Sequence, residues 1–287
     1  MPKSTQKATD LGDRTKYIGA SDVPAILGVN RWKSSYDVWL EKTGRVDPDL
    51  GFNRAIDAGI RLESVIVDWA EEQIGKITRV VEIPKQGIGF PLTVHLDGVL
   101  EESGEPVEAK SSGLFSPLAA EWGEEHTDQV PDYINVQTQT QLYAVGKDIN
   151  YVPALLGGRG FQMFHVTPNA KLIQIICDRC GEFWLKNVIG DTPPDSLPSL
   201  KMAKRVKRKP ESVEIDGALI LEYVKARDHE RAATKAKKAA QAAILKALGD
   251  AEVGKAPGVG TATYFEQSTA GYYVEAKTYR VLRTKKV

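Results

Sequence analysis

Acidic residues and one lysine occupy positions in the sequence that would bring them together on a small sheet. Asp97 closes an alternating run that starts at Leu92, and Glu108 and Lys110 lie two residues apart in the next run. Side chains alternate between the two faces of a strand. If the two runs pair as a hairpin across the acidic turn at 101–105, then Asp97, Glu108 and Lys110 share one polar face.

Two carboxylates brought close together repel each other unless a cation lies between them. Oxygen-rich sites with few histidines suit Mg²⁺ or Mn²⁺, and the chain has only four histidines. A metal ion held in this way lowers the pKa of a bound water and stabilises charge on a phosphate, while Lys110 orients or deprotonates the water or contacts the phosphate. The alternative is that Glu108 and Lys110 form an ordinary pair on a solvated strand surface.

Glu63 is a third candidate carboxylate. It lies on a predicted helix over 54–74, inside a row of positions that are otherwise apolar. A lone buried glutamate costs free energy unless it is paired or bound to a metal. Glu63 therefore either completes the acidic site or pairs with a neighbouring base such as Arg61.

The hydrophobic periodicity predicts the elements that position these residues. Helices are predicted over 21–27 with Ser21 as N-cap, 34–43 with Ser34 as cap and Asp37 three residues after it, 54–74, 133–145 and 182–188. Strands are predicted over 77–83, 92–96, 106–109, 151–156, 161–166 and 172–177, the first three as an antiparallel meander. Helices that flank a central mixed sheet predict an α/β (α+β) domain over residues 1–200.

Residues 201–287 form a predicted basic extension, with 19 Lys and Arg against 10 Asp and Glu. A basic run over 201–209 follows a Pro-rich linker, and it is either a strip that contacts DNA phosphates without sequence preference or a charged linker. A long Ala/Lys-rich helix over 219–248 comes next, either solvated or packed on a partner subunit. A hairpin is predicted over 261–282, with its turn near residues 270–271.

Composition argues against several classes of protein. The 287 residues include no apolar run near the length that spans a bilayer, and the N-terminus is polar, so we expect a cytoplasmic protein. Cys177 and Cys180 form a lone CxxC pair. Without a second pair, a structural zinc site is poorly supported, and we interpret the two as thiols near a strand end.

The acidic residues belong to an ordered set of short motifs. Together these motifs resemble the YqaJ-type viral recombinase family, nucleases of the lambda-exonuclease type with the PD-(D/E)XK, restriction-endonuclease-like fold. The resemblance covers residues 14–190 and rests on the motifs Ile18-Gly-Ala-Ser21-Asp22, Gly59-Ile-Arg-Leu-Glu63, Leu96-Asp97-Gly98, Glu108-Ala-Lys110 and Val136-Gln137-Thr-Gln139.

The family pattern implies roles for the acidic residues. It implies that Asp97 and Glu108 are the principal ligands of Mg²⁺, for which Mn²⁺ substitutes. The backbone carbonyl of Ala109 and the carboxylate of Glu63 complete or support the site. Lys110 is implied as the catalytic lysine.

The resemblance also implies residues that contact the substrate. Gln137 corresponds to a glutamine that contacts the catalytic lysine or the substrate, and Gln139 lies on the same helix; the alternative for both is a solvated row. Arg14 and Ser21, seven residues apart, match positions that bind the 5′-phosphate of a DNA end, although Ser21 is also explained as a helix cap. His95 stands where the lambda-type pattern has a serine, in either a phosphate-binding or a structural role.

The function implied by the resemblance is a Mg²⁺-dependent 5′→3′ exonuclease of phage or prophage origin. It acts on double-stranded DNA ends and leaves 3′ single-stranded tails for recombination. A single-strand annealing protein and a ring of three subunits are the implied partners. The alternatives are an endonuclease, a CRISPR-like end-processing nuclease, which usually carries four cysteines for an iron–sulfur cluster, or a non-catalytic scaffold that binds DNA ends.

Overall fold

The computed structural model describes residues 13–46, 54–85, 89–113, 120–268 and 271. The chain divides into two compact units, Met1–Arg208 and Lys209–Val287. No helix in this described part of the chain is long and apolar enough to cross a bilayer.

The first unit is built on a mixed sheet. Within the described residues its strands are β1 (Ile18–Gly19), β2 (Ile77–Lys85), β3 (Leu92–Leu100), β4 (Pro106–Val107), β5 (Lys110–Ser112), β6 (Asn150–Leu156) and β7 (Gly160–Val166). The predicted antiparallel meander is present, because β3 pairs antiparallel with both β2 and β4. The sheet becomes mixed at β6, which is parallel to β4 and β5 and antiparallel to β7. β1 adds a parallel pair with β3.

Helices cover both faces of this sheet. They are α1 (Val23–Ile26), α2 (Ser35–Lys42), α3 (Arg54–Ile74), α4 (Asp132–Val145), α5 (Ala170–Glu182) and α6 (Leu200–Arg205). Alternate residues of β6 point to opposite sides: Val152 packs with Ile134 of α4, and Tyr151 packs in the cluster that contains Val67 of α3. The predicted α/β class, with helices flanking a central mixed sheet, is confirmed.

The start of α2 is fixed by a buried carboxylate. Ser34 and Asp37 form the predicted cap, with Asp37 N donating to Ser34 Oγ at 3.2 Å and Ser34 N donating to Asp37 Oδ2 at 3.1 Å. Asp37 Oδ1 accepts the Ser199 N–H at 2.9 Å. The same side chain therefore also holds the segment that leads into α6.

We expect Asp37→Ala to lower the free energy of unfolding by about 2–4 kcal/mol, because a cap contributes about 1 kcal/mol and an N–H left without its acceptor costs about 1–3 kcal/mol. Urea unfolding followed by circular dichroism measures this change. Asp57→Ala is the control, since it removes an i,i+4 pair with Arg61 at 2.9 Å, its one side-chain contact among the described residues, and should cost less than about 1 kcal/mol. Equal losses in the two variants would contradict the role of Asp37.

The predicted helix over 21–27 begins later than expected. α1 starts at Val23, and its N-cap is Asp22, which makes no side-chain cap bond. Ser21 is therefore not a cap. The Asp22 carboxylate instead accepts the Gly19 N–H at 3.1 Å and contacts lysine ammonium groups, so it is not available to the helix.

The predicted strand over 106–109 is interrupted. β4 ends at Val107 and β5 begins at Lys110. Glu108 N still donates to Tyr151 O at 2.9 Å, but Ala109 N donates to the Asp97 carboxylate at 2.8 Å. The Asp97 side chain thus accepts a backbone N–H that would otherwise pair within the sheet, and the strand is interrupted at the Glu108–Lys110 motif.

The predicted strand over 172–177 is wrong, and this segment is part of α5. Asn169 caps the helix by accepting the Leu172 N–H at 3.0 Å. Leu172, Ile176 and Cys180 follow helical i,i+4 spacing and pack in the core. A short apolar run does not distinguish a buried strand from a helix by periodicity alone. The two cysteines are free thiols one turn apart on this helix, and burial raises the pKa of Cys180.

A π-helical turn, Phe183–Ile189, follows α5 where a separate helix over 182–188 was predicted. The basic run over 201–209 is not an unstructured linker along its whole length. It starts as α6, where Met202 is buried, and Val206 forms an antiparallel bridge with Val46.

The second unit contains the long predicted helix, α7 (Gly217–Leu248), which Asp216 caps by accepting the Ala218 N–H at 2.8 Å. A hairpin of β8 (Val253–Ala256) and β9 (Gly260–Thr263) follows it. The hairpin is not the one predicted over 261–282. Residues 261–263 pair instead with the preceding strand β8, across a turn in which Gly258 has φ +74°. Residues 264–268 of that prediction are described and are not in a strand, and residues 269–270 and 272–282 lie outside the described residues.

Candidate active site

The acidic cluster forms where β3 faces the interruption between β4 and β5. Asp97 Oδ2 accepts the Ala109 N–H at 2.8 Å, which ties β3 to the Glu108–Lys110 segment. Lys110 Nζ forms an ion pair with Glu108 Oε1. The structure therefore brings Asp97, Glu108 and Lys110 together, as strand alternation predicts.

Helix α4 supplies two amides that hold Glu108. Gln137 Nε2 donates to Glu108 Oε1 and Gln141 Nε2 donates to Glu108 Oε2, both at 2.5 Å. Gln141 Oε1 accepts from Asn150 Nδ2 at 2.8 Å. Glu108 is only 3% exposed, and both of its carboxylate oxygens accept hydrogen bonds from these amides.

Gln141 is a functional candidate that sequence reasoning missed. Its signal is the i,i+4 spacing from Gln137, which places both amides on one helix face. Gln139 lies between them and points elsewhere. Its Nε2 donates to Thr167 O at 2.7 Å and its Oε1 accepts the Asn169 N–H at 2.7 Å. The structure does not bring Gln139 into the cluster.

Glu63, on α3, lies within electrostatic reach of Glu108 and Lys110. Burial, and then the charge of Glu108, raise the pKa of Glu63. The alternative pairing with Arg61 is absent from this part of the structure, because Arg61 Nε donates to Asp57 Oδ2 at 2.9 Å.

The cluster carries more negative charge than Lys110 neutralises. Burial, followed by the charge of Glu108, raises the pKa of Asp97 well above its usual range, with Lys110 acting in the opposite direction. Burial acts to lower the pKa of Lys110, but the charges of Glu108 and Asp97 raise it overall. Such a site favours an additional cation.

The donors present fit a hard divalent cation. Among the described residues no three His, Cys, Asp or Glu side chains are grouped so that they could hold a metal ion. Mg²⁺, however, is commonly held by one or two carboxylates and keeps several waters. Asp97 and Glu108 supply that pair, and burial, followed by the charge of Glu108, raises the pKa of Asp97.

A second polar cluster surrounds Asp22. Arg14 Nη2 donates to Ser21 Oγ at 3.2 Å, so the two predicted phosphate-binding residues are in contact, and the Arg14 side chain is 43% exposed. Lys33 and Lys42 contact the Asp22 carboxylate at 2.7 and 2.6 Å, and Arg14 lies 3.9 Å from it. Sequence reasoning did not assign Asp22, Lys33 or Lys42 to any site.

These cations dominate the charge state of Asp22. Burial opposes ionisation, but Lys33, Lys42 and Arg14 together hold the pKa of Asp22 far below its usual range. The result is a fixed anion that orients basic groups, with the Arg14 guanidinium partly open to solvent.

His95 lies on β3, two residues before Asp97. Its Nε2 contacts Glu82 Oε2 at 2.8 Å, and its ring centre lies 5.9 Å from that of Tyr17. The His95 carbonyl accepts from Gln141 Nε2 at 3.4 Å. The imidazole therefore has a carboxylate partner in Glu82, and the backbone of His95 contacts Gln141, which also holds Glu108.

Comparisons with known proteins match the part of the chain that builds the site. Residues 11–148 match the model of the YqaJ-like viral recombinase domain. The chain is also 28% identical over 202 residues to the uncharacterized protein YqaJ of Bacillus subtilis (strain 168). That match covers 68% of this chain and 61% of the relative, so it spans less than two thirds of the relative's length.

Solved structures give weaker likenesses. The alkaline exonuclease LHK-Exo from Laribacter hongkongensis, in complex with dAMP, has 15% identity and a TM-score of 0.49 over 62% of this chain and 90% of that chain. A phage-related exonuclease from Haemophilus somnus 129PT has 11% identity and a TM-score of 0.42 over 61% and 96%.

Proposed function

We propose that the protein, whose residues 11–148 match the model of the YqaJ-like viral recombinase domain, is a divalent-metal-dependent DNA exonuclease. It degrades duplex DNA from its ends in the 5′→3′ direction and leaves 3′ single-stranded tails. The observation that carries the proposal is the cluster at the strand interruption, where Asp97 accepts the Ala109 N–H and Lys110 pairs with the buried Glu108. The Ala109 N–H donates to Asp97 instead of to a neighbouring strand, so the interruption ties the motif to β3.

The metal is held by Asp97 and Glu108, with the Ala109 carbonyl and Glu63 as supporting oxygen donors. A divalent cation at such a site activates water and stabilises charge on a phosphate; we propose Mg²⁺, with Mn²⁺ as a substitute. Gln137 and Gln141 fix the Glu108 carboxylate, so its orientation does not depend on solvent.

Lys110 is the proposed catalytic lysine. Its ammonium is held by Glu108 and stabilised in the charged form by Glu108 and Asp97. A charged ammonium orients the attacking water through a hydrogen bond and stabilises negative charge on the phosphate. The ion pair with Glu108 holds the Lys110 ammonium beside the carboxylate, which favours orientation of the reacting groups.

Arg14 and Ser21 are the proposed site for the 5′-phosphate of the DNA end. The guanidinium is in contact with the hydroxyl and is partly exposed, and a planar guanidinium binds phosphate through paired hydrogen bonds. His95 is proposed to lie near this phosphate site and to help position the DNA end. We retain Gln139 only as a structural neighbour, since both ends of its amide are occupied.

We expect Arg14→Ala to reduce the preference for 5′-phosphorylated over 5′-hydroxyl ends by about tenfold or more, because a charge-assisted hydrogen bond contributes about 1.5–3 kcal/mol. Initial rates on the two duplexes give the ratio. Arg179→Ala is the control, because Arg179 pairs only with the exposed Glu182 at 3.4 Å among the described contacts. An unchanged ratio in Arg14→Ala would refute the phosphate site.

We propose that residues 1–200 form the nuclease domain and that the basic extension over 201–287 contacts DNA or a partner. The proposed partners are a phage single-strand annealing protein and further copies of this chain in a ring. The proposed location is the cytoplasm of a bacterial host.

The experiment that tests the proposal compares linear duplex DNA with a covalently closed circle, in Mg²⁺ and in EDTA. Loss of the linear duplex alone, only with Mg²⁺, is the expected result. Strand polarity follows from duplexes labelled at one 5′ or one 3′ end. Cutting of the circle would replace the proposal with an endonuclease, and binding without cleavage would replace it with an end-binding scaffold.

A further inference from the structure

Trp32 is an exposed aromatic residue in the loop between α1 and α2. It is 59% exposed, whereas the other four tryptophans of the chain are buried or half-buried. Its ring contacts Tyr133 at right angles, with the ring centres 5.4 Å apart and an interplanar angle of 89°. A perpendicular contact at this exposure leaves a face of the indole open to solvent.

The backbone that carries Trp32 is held in place. Asn30 Oδ1 accepts the Trp32 N–H at 2.8 Å and the Lys33 N–H at 3.0 Å. The Lys33 ammonium then pairs with Asp22 at 2.7 Å and Glu41 at 2.6 Å. The exposure of Trp32 is therefore built into a fixed turn rather than into a free loop.

Tyr133 connects this aromatic pair to the acidic cluster. Tyr133, Gln137 and Gln141 lie at i, i+4 and i+8 on α4, so they share one helix face. Both glutamine amides on that face bond Glu108. Tyr133 lies one turn further toward the helix N-terminus, about 6 Å along the axis from Gln137, and it interacts electrostatically with Lys110.

The surroundings of Tyr133 suit a nucleotide. Arg31, adjacent to Trp32, forms an ion pair with Glu121 and lines a cleft with Tyr133. The open aromatic face offers a surface on which a base can stack, and the Arg31 guanidinium beside it is paired with Glu121. Stacking of a base on an aromatic side chain does not depend on which base is present, as an exonuclease of general specificity requires.

We propose that Trp32 and Tyr133 form a stacking site for a base of the terminal pair of duplex DNA, next to the phosphodiester that lies at Glu108 and Lys110. This inference rests on the proposed function, which supplies the DNA end. Stacking holds the terminal nucleotide while the protein moves along the DNA to the next phosphodiester.

The test measures DNA binding by the full chain in the Lys110→Ala background, so that cleavage does not interfere. Fluorescence anisotropy compares an intact blunt duplex with two duplexes whose 5′- or 3′-terminal nucleotide is abasic. Trp32→Ala is expected to weaken binding of the intact duplex by about 5- to 150-fold. With at least one abasic duplex, the same substitution should change the affinity by no more than about twofold.

Two further variants control for structure. Trp32→Phe keeps an aromatic face and is expected to retain most of the affinity for the intact duplex. Leu185→Ala removes an apolar side chain of the same 59% exposure on the π-helical turn and is expected to leave affinity unchanged. Equal losses by Trp32→Ala on intact and both abasic duplexes, or no loss at all, would overturn the stacking site.

A measurement without the Trp32 substitution protects the test against misfolding. In the Lys110→Ala protein itself, at least one abasic duplex is expected to bind more weakly than the intact duplex by about fivefold or more. Equal affinity for all three duplexes would overturn the inference. Cleavage by the wild-type protein separates the two claims: cleavage with equal affinities rejects the stacking site alone, whereas unequal affinities without cleavage support the stacking site and reject the nuclease.

Discussion

Lys110→Ala is expected to slow cleavage of linear duplex DNA by about 10³-fold or more, while the protein stays folded and its affinity for DNA changes little. The substitution removes the ammonium that Glu108 holds beside Asp97. Initial rates in Mg²⁺ measure the loss, and anisotropy and circular dichroism measure binding and folding.

Lys76→Ala is the control for Lys110→Ala. Lys76 is an exposed lysine whose ammonium lies 3.7 Å from Glu101. Lys76→Ala therefore removes one positive charge, as Lys110→Ala does, but at a position away from the cluster. Its cleavage rate should match that of the wild type. Full activity of Lys110→Ala would reject Lys110 as the catalytic lysine.

Asp22→Asn is expected to lower the free energy of unfolding by about 3–5 kcal/mol, because it leaves buried cations without their anion. Lys42 is the main cause: its side chain is 2% exposed, and its ammonium contacts Asp22 at 2.6 Å. Urea unfolding at neutral pH measures the change. Asp191→Asn removes an exposed pair with Arg45 at 2.7 Å and is expected to cost less than about 1 kcal/mol.

The same substitution has a defined pH dependence. The pKa of Asp22 in the fold lies far below its ordinary value of 3.8, so the unfolded state takes up a proton before the folded state does. The contribution of Asp22 to stability is complete above the unfolded pKa and is lost as the pH falls toward the folded pKa. The difference between wild type and Asp22→Asn should therefore shrink below about pH 4. A difference that grows in acid would contradict this assignment.

Local patterns predicted the elements whose signals lie within a few residues. The cap at Ser34, the helix Arg54–Ile74 and the alternation that places Asp97 on the polar face of β3 follow from such signals. The segment over 172–177 was mistaken for a strand because a short apolar run is ambiguous, and its decisive signal was the Asn169 cap.

The parts of the site that the sequence did not predict depend on contacts between distant residues. Asp22 meets Lys33 and Lys42 only after two helices pack, and no spacing along the chain identifies that partnership. The break between β4 and β5 depends on Asp97 accepting a backbone N–H twelve residues away. Gln141 was within reach of prediction through its spacing from Gln137, but a row of glutamines also fits a solvated face.

The central claim is that Asp97 and Glu108 hold the divalent cation on which cleavage depends. Electron paramagnetic resonance of Mn²⁺ titrated into the wild type and Asp97→Asn tests it without relying on activity, with Asp178→Asn, at an exposed position of α5, as the control. The account predicts that Asp97→Asn binds Mn²⁺ at least about tenfold more weakly than the wild type, and that the control matches the wild type. Equal Mn²⁺ affinity in the wild type and Asp97→Asn would contradict the account.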